Sequence, residues 1–451
     1  MITLFIENYT HITTNSKKVK DNSIFVSINT NKNYIEEAIK NGASLIVSTK
    51  KLNVKIKNIA VKNIMYFFSY WYQKINKINM NDFKIVGVTG TDGKTTTCKM
   101  IYDTITERFS AMYIGTLGIF YLDKKIKTNN TTPDIEVILE SFITAKENNI
   151  KYIIIEASSE GLMNKRLIGI KFDIVVFTNL SHEHLNSHKT MENYFKTKKT
   201  LLKLTKENAV VISNIEDHYG KKFQGVNNIN FGLHKGKVRT IYFFFRKQVT
   251  YIVIVNNDEI YNYKIPFVGV YNIYNFLATH AVISCLFNVK IFKFDNLKNP
   301  DGRFMIIDKN IIVDFAHTPN ALENLLITIQ DNFVDKKIIL VLGSQGEKDK
   351  SKRIKLGRVA DKYCQHIILT SEDPKNESVI NIIFDISLGI INTNYSVELY
   401  RKNAISKALK LRNSNNIIVV VGKGLEETEQ IGNKTYKHSD FEEIKNQVFI
   451  T

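Results

Sequence analysis

The chain has 451 residues, of which 44% are hydrophobic and 24% are charged, so it is long enough for two or three domains with sizeable cores. No apolar run reaches the roughly 18 residues that a membrane span needs, and the first residues lack the basic segment of a signal peptide. The cysteines are too few and too widely spaced for a disulfide framework or a zinc site: Cys98, Cys285 and Cys364. These features predict a soluble, cytoplasmic protein without membrane contact.

The net charge of +18 raises the question of a nucleic-acid partner. The lysines are scattered over the whole chain, and no helix-turn-helix, zinc-finger or RNA-binding motif accompanies them. The charge is therefore interpreted as lysine on solvated faces, with some cations serving phosphate-bearing ligands. We expect no nucleic-acid partner.

The first predicted unit, residues 1–82, has two short strand-like runs, Ile24–Ile28 and Leu45–Val47. Between them lies the helix-like segment Ile35–Asn41, which ends at Gly42. This pattern predicts a small α/β domain.

The second predicted unit, residues 83–300, has buried-strand patterns that alternate with helical stretches, as in a parallel doubly wound sheet: Lys84–Thr89, Tyr152–Ile155 and Phe172–Phe177. The β-rich halves Thr240–Phe245 and Thr250–Val255 predict an antiparallel ribbon attached to that sheet. The third unit, residues 301–451, again alternates strands and helices, with the clearest strands at Ile338–Leu342, His366–Leu369 and Ile417–Val421.

A glycine-rich turn carries the strongest chemical signal. The sequence Gly90-Thr-Asp-Gly-Lys-Thr-Thr96 follows a hydrophobic strand and precedes the helix-like segment Cys98–Thr106. Such a loop lets several backbone N–H groups point at a phosphate, and the helix N-terminus adds positive potential. In this pattern Lys94 reaches the β- and γ-phosphates, and the Thr95 hydroxyl binds Mg²⁺. The sequence therefore predicts a nucleotide site.

Several ordered motifs resemble those of the Mur ligase family, over roughly residues 85–445. They are the Gly90–Thr96 loop, Asn130-Thr-Thr-Pro-Asp134, Ile155-Glu-Ala-Ser-Ser-Glu-Gly-Leu162, Phe177-Thr-Asn-Leu-Ser-His-Glu-His-Leu-Asn-Ser-His188, Gly269-Val-Tyr-Asn-Ile-Tyr-Asn275, Gly302-Arg303 and Asp314-Phe-Ala-His-Thr-Pro319. The last motif is typical of the branch that adds the third residue of the peptidoglycan stem peptide.

The resemblance implies a three-domain α/β architecture, with a central P-loop ATPase domain on a parallel sheet and a Rossmann-like C-terminal domain. It also implies an ATP- and Mg²⁺-dependent ligase that joins a free amino acid to UDP-MurNAc-L-Ala-D-Glu through an acyl phosphate. A substrate carboxylate and a triphosphate repel each other, so such a site needs cations between them. We expect the protein to act as a monomer.

The resemblance also assigns site residues. It implies catalytic roles for Lys94, Glu156, His184 and Lys198. Mg²⁺ is expected at Thr95, Glu156, His184 and Lys198, the last as a carbamate because the family carries a carbamylated lysine four residues after a tyrosine. ATP is expected at Gly90, Thr91, Asp92, Gly93, Lys94, Thr95, Thr96, Asn272, Asn275, Arg303, Asp314 and His317. The muramoyl substrate and the acceptor are expected at Ser16, Thr131, Thr132, Ser158, Arg166, Lys348, Asp373, Lys375, Gly422 and Glu426.

Some positions depart from the family pattern. The first domain keeps only Asn15-Ser-Lys17 of the expected nucleotide-binding motifs, and Glu160 replaces a histidine. Two other readings therefore stay open. One is a Mur-type ligase for a different carboxylate, folylpolyglutamate synthetase included. The other is a nucleotide-binding relative without ligase activity.

The acceptor is predicted to be a diamino acid, with L-lysine favoured over meso-diaminopimelate. Family members that add diaminopimelate show Asp-Asn-Pro-Arg where this chain has Glu372-Asp-Pro-Lys375, and a lysine cannot reproduce the planar fork of an arginine. Four acidic residues offer charge for a distal ammonium: Glu372, Asp373, Glu426 and Glu427. Against lysine, Gly422-Lys-Gly-Leu-Glu426 keeps the glycines and the glutamate of the diaminopimelate pattern.

Overall fold

The computed structural model describes residues 6, 8–183, 185–294 and 297–448. These residues form four sheets, of four, eleven, six and two strands. None of the helices in the described ranges is long and apolar enough to cross a membrane.

The first sheet is parallel, with strands in the order β1-β2-β3-β4. Two of the strands are the predicted ones, and α1 is the predicted helix, so the small α/β unit is confirmed. Helix α1 packs on one face of the sheet, and α2 and the central unit pack on the other. The elements are β1 (His11–Thr13), β2 (Ser23–Val26), α1 (Lys32–Lys40), β3 (Ala43–Ser48), β4 (Lys57–Ala60) and α2 (Ile64–Ile75).

The eleven-stranded sheet has the order β15-β14-β13-β12-β11-β10-β5-β9-β6-β7-β8. Its middle strands are parallel and its two ends are antiparallel. The strands are β5 (Lys84–Thr89), β6 (Ala111–Gly115), β7 (Gly118–Tyr121), β8 (Lys124–Ile126), β9 (Tyr152–Glu156), β10 (Phe172–Phe177), β11 (Thr205–Asn214), β12 (Asn227–Gly232), β13 (Val238–Arg246), β14 (Val249–Asn256) and β15 (Glu259–Ile265). The predicted ribbon is confirmed as β13 and β14, and the structure adds β15 as its third strand.

The helices of the central unit cover both faces of this sheet. They are α3 (Lys94–Thr106), α4 (Ile135–Glu147), α5 (Ser159–Met163), α6 (Leu185–His188), α7 (Met191–Lys199) and α8 (Val270–Leu286). One face packs with α4 and with the first unit, and the other packs with α3 and α8. Strands such as β5 and β10 are nearly all apolar because both of their faces are buried.

The six-stranded sheet has the order β16-β17-β21-β18-β19-β20 and is parallel except for β16 at one edge. The three predicted strands of this unit are confirmed as β18, β19 and β21. Its elements are β16 (Met305–Asp308), β17 (Ile311–Asp314), α9 (Pro319–Asn332), β18 (Lys337–Leu342), α10 (Ser351–Tyr363), β19 (His366–Leu369), α11 (Val379–Ser387), β20 (Asn394–Val397), α12 (Arg401–Lys410), β21 (Asn416–Val421), the hairpin β22 (Thr428–Ile431) and β23 (Lys434–Lys437), and α13 (Asp440–Val448).

The loops at the carboxyl ends of β5, β9, β10, β17 and β21 open onto one cleft of about 2120 Å³ between the second and third sheets. Ligands of open parallel sheets bind at this edge. A buried ion pair also joins the two units beside the cleft, with Lys352 Nζ 3.1 Å from Glu183 Oε1.

Candidate active site

The glycine-rich loop connects β5 directly to α3. Gly90 and Gly93 have φ angles of 150° and 82°, in the region that favours glycine. A Cβ at Gly90 would lie 1.9 Å from Thr178 Oγ1, and a Cβ at Gly93 would lie 2.4 Å from Asn275 Oδ1, so neighbouring side chains also require glycine. Helix α3 begins at Lys94, four residues before the predicted start, and its free N–H groups therefore face the loop.

Lys94 turns back over this loop. Its ammonium donates hydrogen bonds to the carbonyl oxygens of Thr91 at 2.7 Å and Gly90 at 3.1 Å. Burial lowers the pKa of Lys94, and the charge of Glu156 opposes that shift. The structure thus places a cation beside the N-terminus of α3, which suits a phosphate.

Glu156, at the end of β9, is fully buried and accepts four hydrogen bonds. Its Oε2 accepts from the hydroxyls of Thr95 at 2.9 Å and Thr116 at 3.1 Å. Its Oε1 accepts from the backbone N–H of Thr116 at 3.0 Å and from the hydroxyl of Tyr113. Burial and the Glu156 charge raise the pKa of Tyr113 well above its usual value, so Tyr113 remains a donor. The sequence motifs did not identify Tyr113 or Thr116.

Lys198, on α7, reaches the same loop from the other side. Its side chain is 1% exposed, its Nζ donates to the carbonyl oxygen of Gly90 at 2.6 Å, and it lies 4.5 Å from the centre of the Tyr194 ring. Burial, followed by repulsion from Lys94, lowers the pKa of Lys198 well below its ordinary value. The predicted partner His184 lies outside the described residues.

The predicted muramoyl-binding residues lie at the end of the cleft next to β9. Thr132 accepts a hydrogen bond from the Ser158 N–H at 2.9 Å and donates to the Glu156 carbonyl oxygen at 2.7 Å. Thr131, Ser158 and Arg166 line the cleft, while Thr132 is buried behind them. The structure therefore brings these four residues together beside Glu156.

The predicted ATP residues outside the loop come from α8 and from the third unit. Asn275 donates to Asn272 Oδ1 at 3.2 Å, and both residues line the cleft. Across the cleft the Arg303 guanidinium lies 4.5 Å from the Phe315 ring centre. Asp314 is buried, which raises its pKa. Its carboxylate accepts hydrogen bonds from the backbone N–H groups of Phe304 at 2.6 Å and Ala316 at 2.7 Å.

His317 also lines the cleft and is held by a 2.9 Å hydrogen bond between its Nδ1 and the Phe315 carbonyl oxygen. Burial, together with nearby cations, lowers its pKa to about 3. The imidazole is therefore neutral at physiological pH. It presents an uncharged ring nitrogen to the cleft.

Three of the four acidic residues assigned to the acceptor already have a cationic partner, and the fourth, Glu372, is buried without one among the described residues. Lys423 Nζ lies 2.9 Å from both oxygens of Asp373 and 3.0 Å from Glu426 Oε2. Glu427 pairs with Lys127 at 2.7 Å. Glu372 is buried, and burial raises its pKa to about 7. The free negative charge that favoured L-lysine in the sequence is therefore largely compensated in the structure.

Some predicted site residues do not line the cleft. Lys348, Lys375 and Gly422 lie in the loops behind it, with Gly422 packed against the Glu372 carboxylate. Ser16 is buried in the first unit and donates its hydroxyl to Glu37. Ser16 therefore lies away from the cleft, and its role in binding the substrate stays a prediction.

The parallel sheet, the glycine-rich loop at its carboxyl edge and the buried carboxylate beside it define a P-loop nucleotide-binding protein. Residues 88–283 match the family model of the Mur ligase middle domain, and residues 302–424 match that of the Mur ligase glutamate ligase domain. These matches, together with full-length relatives about one-third identical, show that the chain belongs to the Mur ligase family and is a ligase. The resemblance and the fold class predicted from the sequence are confirmed.

Among curated relatives, the UDP-N-acetylmuramoyl-L-alanyl-D-glutamate–2,6-diaminopimelate ligase of Fusobacterium nucleatum is 33% identical, over 98% of this chain and 94% of that protein. The UDP-N-acetylmuramyl-tripeptide synthetase 2 of Oceanobacillus iheyensis is 31% identical, over 97% of this chain and 94% of that one. A solved 2,6-diaminopimelate ligase structure superposes with a TM-score of 0.68 at 24% identity, over 98% of this chain and 95% of the other. The whole three-sheet architecture is thus shared.

Proposed function

We propose that this protein adds a diamino acid to UDP-MurNAc-L-Ala-D-Glu with hydrolysis of ATP to ADP, as the third residue of the peptidoglycan stem peptide. One observation carries the proposal. Lys94 of the phosphate loop and a buried Lys198 line one cleft with Arg166, and Glu156 is buried directly behind Thr95 of that loop. The names of the two full-length relatives support this substrate.

The residues of the cleft account for the first chemical step, in which the substrate carboxylate attacks the γ-phosphorus of ATP. The backbone N–H groups of the loop and Lys94 face the phosphates and stabilise the charge that develops on them. Asn272 and Asn275 line the cleft beside the loop and would face the nucleoside, and Arg303 lines it from the third unit. The step forms an acyl phosphate and releases ADP, and the acceptor amine then displaces phosphate to form the amide.

The oxygens around Glu156 fit Mg²⁺. Thr95 Oγ1 and Glu156 Oε2 are 2.9 Å apart beside the phosphate loop, and hydroxyl and carboxylate oxygens are the ligands that this hard cation prefers. When bound, Mg²⁺ would neutralise the charge of the triphosphate. We further propose that Lys198 is carbamylated, because CO₂ reacts with a neutral amine, and burial beside Lys94 favours that form. The carbamate would add an anion on the opposite side of Gly90.

We propose 2,6-diaminopimelate as the acceptor, in place of the L-lysine that the sequence favoured. Lys423 offsets one of the two negative charges of Asp373 and Glu426, so this end of the cleft offers less negative charge to a distal ammonium than the sequence suggested. The Lys423 side chain is fully buried. The curated relatives named above include a 2,6-diaminopimelate ligase.

We also propose domain boundaries after residues 82 and 300, with the first domain contributing to the UDP-muramoyl site. The first sheet ends at Ala60, the second spans Lys84–Ile265, and the third begins at Met305.

Because ATP and the UDP-linked substrate are cytoplasmic compounds, we propose that the reaction takes place in the cytoplasm.

A phosphate-release assay tests the proposal. Purified protein is given ATP, Mg²⁺, UDP-MurNAc-L-Ala-D-Glu and one amino acid from a panel, and each component is omitted in turn. We expect phosphate release that needs all components and is fastest with meso-diaminopimelate. Turnover that needs only ATP, or that needs a folate-type carboxylate instead, would contradict the proposed substrate. A kcat/KM at least tenfold higher for L-lysine, about 1.4 kcal/mol, would contradict the acceptor alone.

A further inference from the structure

Each nitrogen atom of Arg166 has a neighbour in the protein itself. Its Nε lies 3.1 Å from Asp134 Oδ1, and one terminal nitrogen donates to the Thr132 carbonyl oxygen at 3.0 Å. The other terminal nitrogen lies 3.7 Å from Glu160 Oε1. The arginine side chain is only 14% exposed, so these three neighbours fix its position.

The two carboxylates around Arg166 are not equivalent. Glu160 lies in the first turn of α5 and lines the cleft, whereas Asp134 caps the start of α4 and does not line it. The contact with Glu160 is also the looser one, because 3.7 Å is too long for a hydrogen bond. The family motif has a histidine where this chain has Glu160. The carboxylate on the cleft side of Arg166 is thus a feature of this chain.

The substrate brings two carboxylates of its own into this end of the cleft. One carboxylate of the D-glutamyl residue attacks ATP, and the other remains unreacted and needs a cation. An arginine binds a carboxylate best through two parallel N–H groups. With Asp134 and Thr132 in place, the terminal nitrogen that faces Glu160 is the one that a ligand in the cleft can reach. An incoming carboxylate therefore meets Glu160 both as a competitor and as a like charge.

We propose, on the basis of the function proposed above, that Glu160 sets the affinity for the dipeptide substrate and weakens binding of its free carboxylate by competing for Arg166. The expected signature is a change in KM without a matching change in kcat, since Glu160 has no contact with the phosphate loop. Glu160→Gln keeps the size of the side chain and removes its charge. It should lower KM for UDP-MurNAc-L-Ala-D-Glu about twofold to fivefold, as expected for one solvent-exposed charge pair. Glu160→His should shift KM in the same direction.

Steady-state kinetics at saturating ATP and acceptor, in low salt, test the proposal. Asp134→Asn is the matched control, because it removes a like charge from the same arginine at a residue that does not line the cleft, and its KM should not fall. In an Arg166→Ala background Glu160→Gln should lose most of its effect, since the competition acts through Arg166.

An unchanged or higher KM in Glu160→Gln would overturn the proposal. A decrease of equal size in Asp134→Asn, or in the Arg166→Ala background, would overturn it as well, because the effect would then be general charge repulsion. Failure of the wild-type protein to form the tripeptide would instead refute the proposed function. A normal wild-type rate with none of these KM shifts would refute only the role of Glu160.

Discussion

Replacement of Lys198 by alanine tests most directly whether a carbamate on this residue contributes to the proposed Mg²⁺ site. The Lys198 amine is buried and lies 2.6 Å from the Gly90 carbonyl oxygen, and its pKa is lowered by burial and by Lys94. A carbamate there would be a fixed anion in a site shielded from water. Loss of one such preorganised group costs about 3–4 kcal/mol in the transition state, so kcat should fall about 10²–10³-fold.

The assay is ATP- and dipeptide-dependent phosphate release at limiting Mg²⁺, with circular dichroism to confirm folding. Added short-chain carboxylates should restore part of the activity of Lys198→Ala, because they can occupy the space of the carbamate. Lys196→Ala is the matched control, since Lys196 lies on the same helix with an exposed side chain, and its activity should be unchanged. Wild-type activity in Lys198→Ala at limiting Mg²⁺ would refute the carbamate reasoning.

Three further substitutions test other parts of the structure. Lys94→Ala should lose nearly all ATP turnover while its thermal unfolding stays that of the wild type, and unchanged turnover would rule out the phosphate loop. Asp440→Asn leaves the fully buried Arg401 without its carboxylate, and denaturant unfolding should show a loss of about 3–5 kcal/mol; a loss below 1 kcal/mol would contradict this. Hydrogen bonds from Arg353 lower the pKa of Glu377 to about 2, so the stability from this pair is present above about pH 4.5 and is lost as the pH falls towards about 2. As the pH falls over that range, the unfolding temperature of Glu377→Gln should therefore decrease less steeply than that of the wild type. Equal slopes for the two proteins would contradict this role of Glu377.

The sequence was most informative where the pattern is local. Buried strands such as β5 and β10 appear as continuous apolar runs, and the glycine-rich turn between a strand and a helix needs no long-range information. The ribbon strand β15 was missed because Glu259–Ile265 alternates polar and apolar residues weakly and has a charged start. Helix α3 was predicted to begin at Cys98, since a run of threonines favours caps and strands, whereas the N-terminal turn actually forms at Lys94.

Pairing between distant residues could not be predicted from the sequence. Tyr113 and Thr116 bind Glu156 from 43 and 40 positions away, and nothing in their local pattern marks them. Lys423 pairs with Asp373 across 50 positions, which weakened the charge argument for L-lysine. Motif order predicted which residues belong to the site, and the fold shows which of them line one cleft and which of their charges are already paired.

The measurement that tests the central claim most directly uses UDP-MurNAc-L-Ala-D-Glu labelled with ¹⁸O in its carboxylates. The labelled substrate is incubated with the protein, ATP, Mg²⁺ and meso-diaminopimelate, and the products are analysed by mass spectrometry. The proposed acyl phosphate predicts a tripeptide product, ADP, and one ¹⁸O atom in each phosphate released. Label in AMP, or ATP hydrolysis that yields unlabelled phosphate and no tripeptide, would contradict an ADP-forming ligase that acts on this carboxylate.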